Sequence, residues 1–306
     1  MLCWLVYLYT YILSPVLVMP MNCIPLLRVY SFDTSKKIRL GVQNDGGYVI
    51  ADLVAGGAEG GGEGGGEGGA EGGAAGGGEG LYDCYISAGV NDEESFTRDF
   101  LARYASSCSL NETNCFAFDG TIQAYPTQYT DKITFIKKNI GGGGGGGDGG
   151  GVGGGSGGGV AETNLLFLLN KYSRVFLKMD IEGGEYPWLM RMTADDLRKI
   201  KQLVIEFHGI TGVGGTDWGC SFNTKWDCIK KLSETHYFVH AHGNNHSHVV
   251  SGIPDVIELT CIEKSYFSEG APMLNRVPLP IVGLDFANSS GRRDIDLNAY
   301  PFVSKD

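Results

Sequence analysis

The chain has 306 residues, a net charge of −11 and 49 glycines. Two tracts, residues 56–80 and 141–159, hold 32 of those glycines without a three-residue period, which excludes collagen. Removing the six acids of the tracts leaves −5 on the rest and no basic block, which excludes a protein that tracks nucleic-acid phosphates.

Residues 1–27 carry no charged side chain. The run from Met1 to Met19 is just long enough to span a bilayer. It lacks a basic lead and a small-residue cleavage site, and Arg28, Lys36, Lys37 and Arg39 all follow it. A spanning segment would therefore hold the domain, residues 28–306, on the cytosolic side. Three readings stay open: a membrane anchor, a cleaved or targeting segment, or a spurious or locally buried extension, with a start at Met19 or Met21 leaving M-N-C-I-P-L-L-R-V-Y as the domain's entry.

Gly47–Leu53 reads as a strand or the lead into a hairpin. The first glycine tract follows and reads as a flexible loop, since it has no side chains to bury. Tyr82–Ser87 is a strand. Phe96, Phe100, Leu101 and Tyr104 then fall on one helical face, with Asn91 or Asp92 as the cap. Asn114–Phe118 and Lys132–Ile136 are further strands, and the second tract follows them. Thr163 is placed as the cap of a helix through Leu165–Leu169. Arg174–Met179 is a strand, Pro187 starts a short helix, and Thr193 with Asp196 forms a capping box. Gln202–Phe207 is a strand, Trp226, Ile229 and Leu232 mark a helix, and Tyr237–Ala241 and Val256–Ile262 are the last two strands. Strands alternating with helices predict a doubly wound, mostly parallel sheet. The last pair, with no helix between its members, is expected to lie antiparallel at one edge. The eight cysteines show no zinc-like spacing, and Cys84, Cys115 and Cys261 sit in apolar strands as small buried hydrophobes.

Ligands of such sheets bind beyond the carboxyl ends of the strands. Ser87, Gly89 and Asn91 form the first such turn, in S-A-G-V-N-D, which is not a dinucleotide fingerprint. Asp119 ends the second strand, where an acid can accept from ribose hydroxyls or simply make a turn. Asp180, Glu182 and Glu185 cluster after the fourth. They could start a helix, orient a substrate hydroxyl, ligate a divalent ion or touch a ligand's charged end. Glu206 and His208 end the fifth, and His208 could be a general base or a hydrogen-bonded structural residue. His240, His242, His246 and His248 fall in H-A-H-G-N-N-H-S-H, which could hold a metal, belong to an active-site loop or be solvated.

V-F-L-K-M-D-I-E-G-G-E-Y resembles the L-K-x-D-I-E-G-x-E signature of FkbM-type methyltransferases. N-D-G-G-Y-V-I, S-A-G-V-N-D-E-E-S-F, Q-L-V-I-E-F-H, H-A-H-G-N-N and I-P-D-V-I-E-L-T-C-I-E-K agree with it in order, from about Arg39 to Leu297. The resemblance implies a class I methyltransferase sheet, Rossmann-like, with seven strands and a closing antiparallel hairpin. It implies S-adenosyl-L-methionine as cofactor, with Asp45, Ser87, Gly89, Asn91, Asp119 and Asp180 around it. Asp180 would lie near the transferred methyl, and Asp180, His208 and Glu206 would carry the catalysis. Asn91, where relatives often have a second glycine, and both glycine tracts depart from the family pattern. The expected reaction is methylation of a hydroxyl on a sugar or other small polar acceptor. No metal and no nucleic acid is assigned, and membrane association through residues 1–27 stays open. The rival readings are an inactive binding or scaffold protein and a nucleotide-dependent oxidoreductase.

Overall fold

The computed structural model describes residue 20 and residues 22–53, 80–142, 161–212 and 220–305. Residues 1–19 and nearly all of both glycine tracts lie outside the described residues, and with them the membrane-anchor and flexible-loop expectations. Among the described residues no helix is long and apolar enough to cross a membrane.

The described chain enters the core within the M-N-C-I-P-L-L-R-V-Y stretch. Ile24–Leu27 form one 3-10 turn, and Leu27 and Val29 are fully buried in the main core. Strands β1 (Lys37–Leu40) and β2 (Tyr48–Ala51) then make an antiparallel hairpin of their own. Next come β3 (Cys84–Ala88), helix α1 (Ser95–Cys108), β4 (Cys115–Phe118) and β5 (Thr134–Ile136). Two-residue strands β6 (Asn139–Ile140) and β7 (Glu162–Thr163) pair with each other ahead of α2 (Leu166–Leu169). Then follow β8 (Val175–Met179), α3 (Glu185–Arg191), α4 (Ala194–Arg198), β9 (Ile200–Phe207) and α5 (Phe222–Thr235). The chain closes with β10 (His236–Gly243), a small pair β11 (Val249–Val250) and β12 (Ile253–Pro254), β13 (Ile257–Glu263), and a long C-terminal segment.

The protein is α/β, with a seven-stranded sheet in the order β10-β13-β9-β8-β3-β4-β5. The pairings β5-β4, β4-β3, β3-β8 and β8-β9 are parallel, while β13 is antiparallel to both β9 and β10. Six strands therefore run one way. The last two pair antiparallel as expected, but the reversed strand β13 is inserted beside β9 and leaves β10 at the edge. The order suits a Rossmann-like sheet.

Side-chain alternation divides the core. Cys84, Ile86 and Ala88 of β3, Val175, Leu177 and Met179 of β8, and Leu203, Ile205 and Phe207 of β9 face α3 and α5. Tyr85, Phe176 and Val204 face the other way, toward α1 and the β1-β2 hairpin. There Phe96 and Phe100 of α1 pack on Phe176, with Phe100 and Phe176 centroids 4.2 Å apart, and Tyr104 packs on Phe100. Gln202 ties the hairpin down: its side chain exchanges hydrogen bonds with both the N–H and the carbonyl of Ala51.

Most expected helices start within a residue or two of their predicted place, and the exceptions have local causes. α1 starts at Ser95 rather than just after Asn91, because Asp119 takes the Val90 and Asn91 N–H groups and holds that turn off the helix. Thr163 belongs to β7, and Asn164 caps the N–H of Leu166 instead. Pro187 is the third residue of α3, still within the first turn. The Thr193–Asp196 capping box stands at the head of α4. All seven described cysteines are free, and Cys84, Cys115 and Cys261 are buried in strands.

Candidate active site

From β3 the chain winds outward through β4 and β5, then returns to place β8 on the other side of β3. The carboxyl ends of β3 and β8 are thus a topological switch point, where such sheets open a crevice. Gly89 and Asp180 face each other there. The Asp180 N–H donates to the Ala88 carbonyl at 3.0 Å, and Gly89 has φ +80°. A Cβ on Gly89 would stand 1.6 Å from the Asp180 carbonyl oxygen. Glycine is therefore required here by backbone meeting backbone.

After β8 the D-I-E-G-G-E stretch makes a tight turn. Glu182 (φ 54°) and Gly183 (φ 94°) are left-handed, and the fully buried Glu185 accepts the Ile181 N–H on Oε1. The same Oε1 lies 3.1 Å from His208 Nδ1, and His208 Nε2 lies 3.8 Å from Asp180 and 3.5 Å from Glu182. The strand-end residues of β8 and β9 are thus joined by one imidazole. Burial alone would push His208 down, but the hydrogen bond and charge of Glu185, with Glu206 and Asp180, outweigh it and raise its pKa to about 10. That shift favours the protonated ring and so works against the general-base role among the readings of His208.

Glu206 is 2% exposed, and its hydrogen-bond partners are the Asn244 amide (2.8 Å) and the Tyr48 hydroxyl (3.4 Å). Burial first, then the charges of Asp180 and Glu258, push its carboxyl well above the usual range. Tyr48, fully buried and held by burial and Asp180 as the neutral phenol, also hydrogen-bonds Asp180 Oδ2 at 3.0 Å. A chain of three groups results: Glu206, Tyr48, Asp180. The Tyr48 hydroxyl is the donor toward both carboxyls. Lys178 stays behind this chain, its Nζ 2.7 Å from the Gly89 carbonyl and over the Tyr48 ring.

These groups border a cavity of about 370 Å³, walled by Asp45, Asp180, Glu182, Glu206 and His208 and closed by Asn244, His246, Ser247 and Val256 from the β10–β13 connection. The structure therefore brings together Asp45, Asp180, Glu206 and His208 of the expected site. Ser87, Gly89, Asn91 and Asp119 form the adjoining turn. Ser87 Oγ donates to Glu94, itself buried under the turn. Asp119 is 8% exposed and accepts four hydrogen bonds: Val90 and Asn91 N–H on Oδ2, Thr121 N–H and hydroxyl on Oδ1. Those bonds overcome burial and hold its carboxyl below its ordinary value. Its first task is to shape the turn, and a ribose would compete for lone pairs already in use.

The histidine-rich stretch divides. His240 pairs with Asp285 and His242 with Glu258 and Asp294, both as buried structural contacts, and His246 alone borders the cavity. Asp180, Glu182 and His208 place ligand atoms within 4.8 Å of one another, a span a divalent ion could share once His208 gave up its proton. Tyr48 and Asn244, which contact Asp180 and Glu206, are the residues of this cluster that the sequence did not single out. Both sat inside quoted segments, N-D-G-G-Y and H-G-N-N, and aromatic and amide side chains gave no charge signal there.

His208 makes a pH test. Its pKa is raised from 6.5 to about 10, so its stabilising pairing is fully present below 6.5 and is lost as pH rises through 10. Urea unfolding midpoints of the wild type should fall across that window relative to His208→Gln. Parallel curves would remove the charged pairing from the account.

No protein-family model, no curated protein and no solved structure matches the chain.

Proposed function

We propose that the protein is an S-adenosylmethionine-dependent methyltransferase of the FkbM type, acting on a hydroxyl of a sugar or other small polar acceptor. The observation that carries this is the assembly of Asp180, Glu206 and His208 into one acidic cavity beside the Gly89 turn, at the switch point of the sheet. The seven strands and the reversed final strand agree with the sheet that the sequence resemblance implies. The carboxylate wall fits a cationic sulfonium. The Asp119 turn fits the cofactor's ribose only if some of its own hydrogen bonds are exchanged for it.

The bound cofactor supplies an electrophilic methyl carbon. With an acceptor beside it, the cavity residues would align the acceptor oxygen and remove its hydroxyl proton. Asp180 takes the proton, because its side chain is the most open of the three, 26% exposed, whereas His208 and Glu206 are buried. Tyr48 holds the Asp180 carboxylate in place from behind and is itself backed by Glu206. Glu185 and His208 fix the turn that carries Asp180 and Glu182.

Tyr48→Phe removes one hydrogen bond to a charged group, worth about 1.5 kcal/mol. Its kcat should fall roughly tenfold while the KM for S-adenosylmethionine is kept. An unchanged kcat would break the chain assigned here.

The reading is tested by calorimetric titration of the full chain with S-adenosylmethionine, S-adenosylhomocysteine and NAD. The full chain is needed because a cut after residue 27 would remove Leu27 from the core. Binding of both sulfur ligands in the micromolar range, with none for NAD, is expected. Binding of NAD alone would favour the oxidoreductase, and binding of none would favour a scaffold.

A further inference from the structure

The chain covers the edge strand β10 with its own entry segment. The Tyr30 N–H donates to the Phe238 carbonyl at 2.7 Å, and the Ser31 N–H donates onward to the Met273 carbonyl at 2.7 Å. A row of half-buried aromatic rings crosses this edge. Tyr30 meets Tyr237 at 4.7 Å between centroids, Tyr237 meets Phe267 at 5.3 Å, and Phe267 meets Tyr266 at 5.3 Å. Beside the row Met273 is 69% exposed and Tyr266 is 41% exposed. Tyr300, 49% exposed, hydrogen-bonds Arg28 two residues before Tyr30.

The cations of this face lie on rings. Lys264 Nζ stands 4.8 Å from the Tyr237 centroid, and Arg28 Cζ stands 5.7 Å from that of Tyr300. Neither forms an ion pair among the described residues, although the protein carries a net charge of −11. Tyrosine rings, open apolar side chains and unpaired cations together suit the boundary of a bilayer. There the ring body sits against acyl chains, its hydroxyl meets water, and Lys or Arg meets anionic headgroups.

The chain's connectivity is the second observation. Arg28 is the first charged residue, and the 27 side chains before it are uncharged. Residues 1–19, outside the described residues, are mostly apolar. Leu27 and Val29, buried on either side of Arg28, fix the point where that uncharged run joins the ring face. A bilayer that held the run would therefore lie against the rings as well.

We propose that this edge of the folded domain docks on the headgroup layer of an anionic bilayer, with Met273 and Tyr266 inserted and Arg28 and Lys264 on the lipid charges. The proposal stands apart from the methyltransferase reading. It also sets the direction of the cavity. Tyr237 is the second residue of β10, and β13 ends beside that end of it, where Glu263 pairs with His236. The cavity begins at Asn244, just past the other end of β10. Seven residues of strand separate the two, roughly 23 Å. A docked domain would keep its cavity in water, so its ligand would arrive from solution and not from the lipid.

The test uses the full chain with phosphatidylcholine vesicles, made with and without phosphatidylglycerol. In flotation the anionic vesicles should bind about tenfold or more tighter, the effect of two cations at the surface. On the same wild-type samples, peroxide oxidation of Met273, read by mass spectrometry, should slow several-fold when anionic vesicles are present. Met190, 47% exposed on α3, should oxidise at an unchanged rate. Met273→Glu with Tyr266→Ser, both at exposed side chains, should weaken vesicle binding by about tenfold or more, and Met190→Glu should not. No flotation overturns the proposal. Flotation that leaves Met273 as reactive as in solution also overturns it, and shows that the uncharged run holds the bilayer alone. A soluble dimer that protects Met273 without vesicles overturns it as well and makes the face an interface between two copies. The oxidation measurement needs no variant, so a variant that fails to fold leaves the proposal open to refutation.

Discussion

Asp180→Asn should lower kcat for methyl transfer by about 10²- to 10⁴-fold, the span that a positioned general base contributes. The substitution is nearly isosteric. The asparagine carbonyl can still accept the Tyr48 hydroxyl that Asp180 Oδ2 accepts at 3.0 Å. Only the negative charge and the basicity are lost. Repulsion with Glu206 and Glu182 falls at the same time, since Asp180 raises the pKa of both. The melting temperature should therefore hold or rise slightly while the rate collapses. Transfer of a labelled methyl group, measured beside thermal unfolding, checks both halves. A rate within about threefold of wild type would remove Asp180 as the base.

The second large effect is structural. Gly89→Ala should destabilise the fold by about 4 kcal/mol or more, among the larger single-residue losses. A left-handed backbone alone costs an alanine about 1 kcal/mol. The added Cβ would also lie 1.6 Å from the Asp180 carbonyl oxygen and 2.7 Å from its carbon. The turn has little freedom to retreat. Gly89 N–H donates to Phe118, the Gly89 carbonyl accepts Lys178, and Asp180 N–H donates to Ala88. Urea unfolding gives the measurement. A loss near 1 kcal/mol would mean that β3 and β8 can part at their ends, and that the contact does not set the site. Because Gly89 packs against Asp180, the base under the proposed function, a folded variant should also lose activity if that proposal holds.

Most of the scaffold was legible along the chain because its signals are local. Phe96, Phe100, Leu101 and Tyr104 recur at helical spacing, and all four are buried in α1. The strand runs ending at Asp119, Asp180 and His208 are mostly apolar, as strands covered on both faces tend to be, with Lys178, Gln202 and Glu206 the polar exceptions. Helix starts were less legible where a distant group intervened. Asp119 reaches back across 28 residues to Asn91, and no pattern around Asn91 announces that.

The acids Asp180 and Glu206 and the imidazole of His208 were readable as a group by a simple rule: parallel strands end on one side of the sheet, so their terminal polar residues converge. That much the order of residues determined by itself. The tertiary structure decided what each of them can do. Tyr48 comes from a hairpin 132 residues away from Asp180, and Asn244 from a loop 38 residues beyond Glu206. Which face the hairpin covers depends on Gln202 and Thr260 gripping its backbone, contacts with no period in the sequence. The charge on His208 depends on Glu185, which the left-handed turn at Glu182 and Gly183 folds beneath it. Local spacing specifies elements because backbone geometry repeats over a few residues; proton positions depend on burial and on charges a few ångströms away, and those neighbours are assembled only when the sheet is.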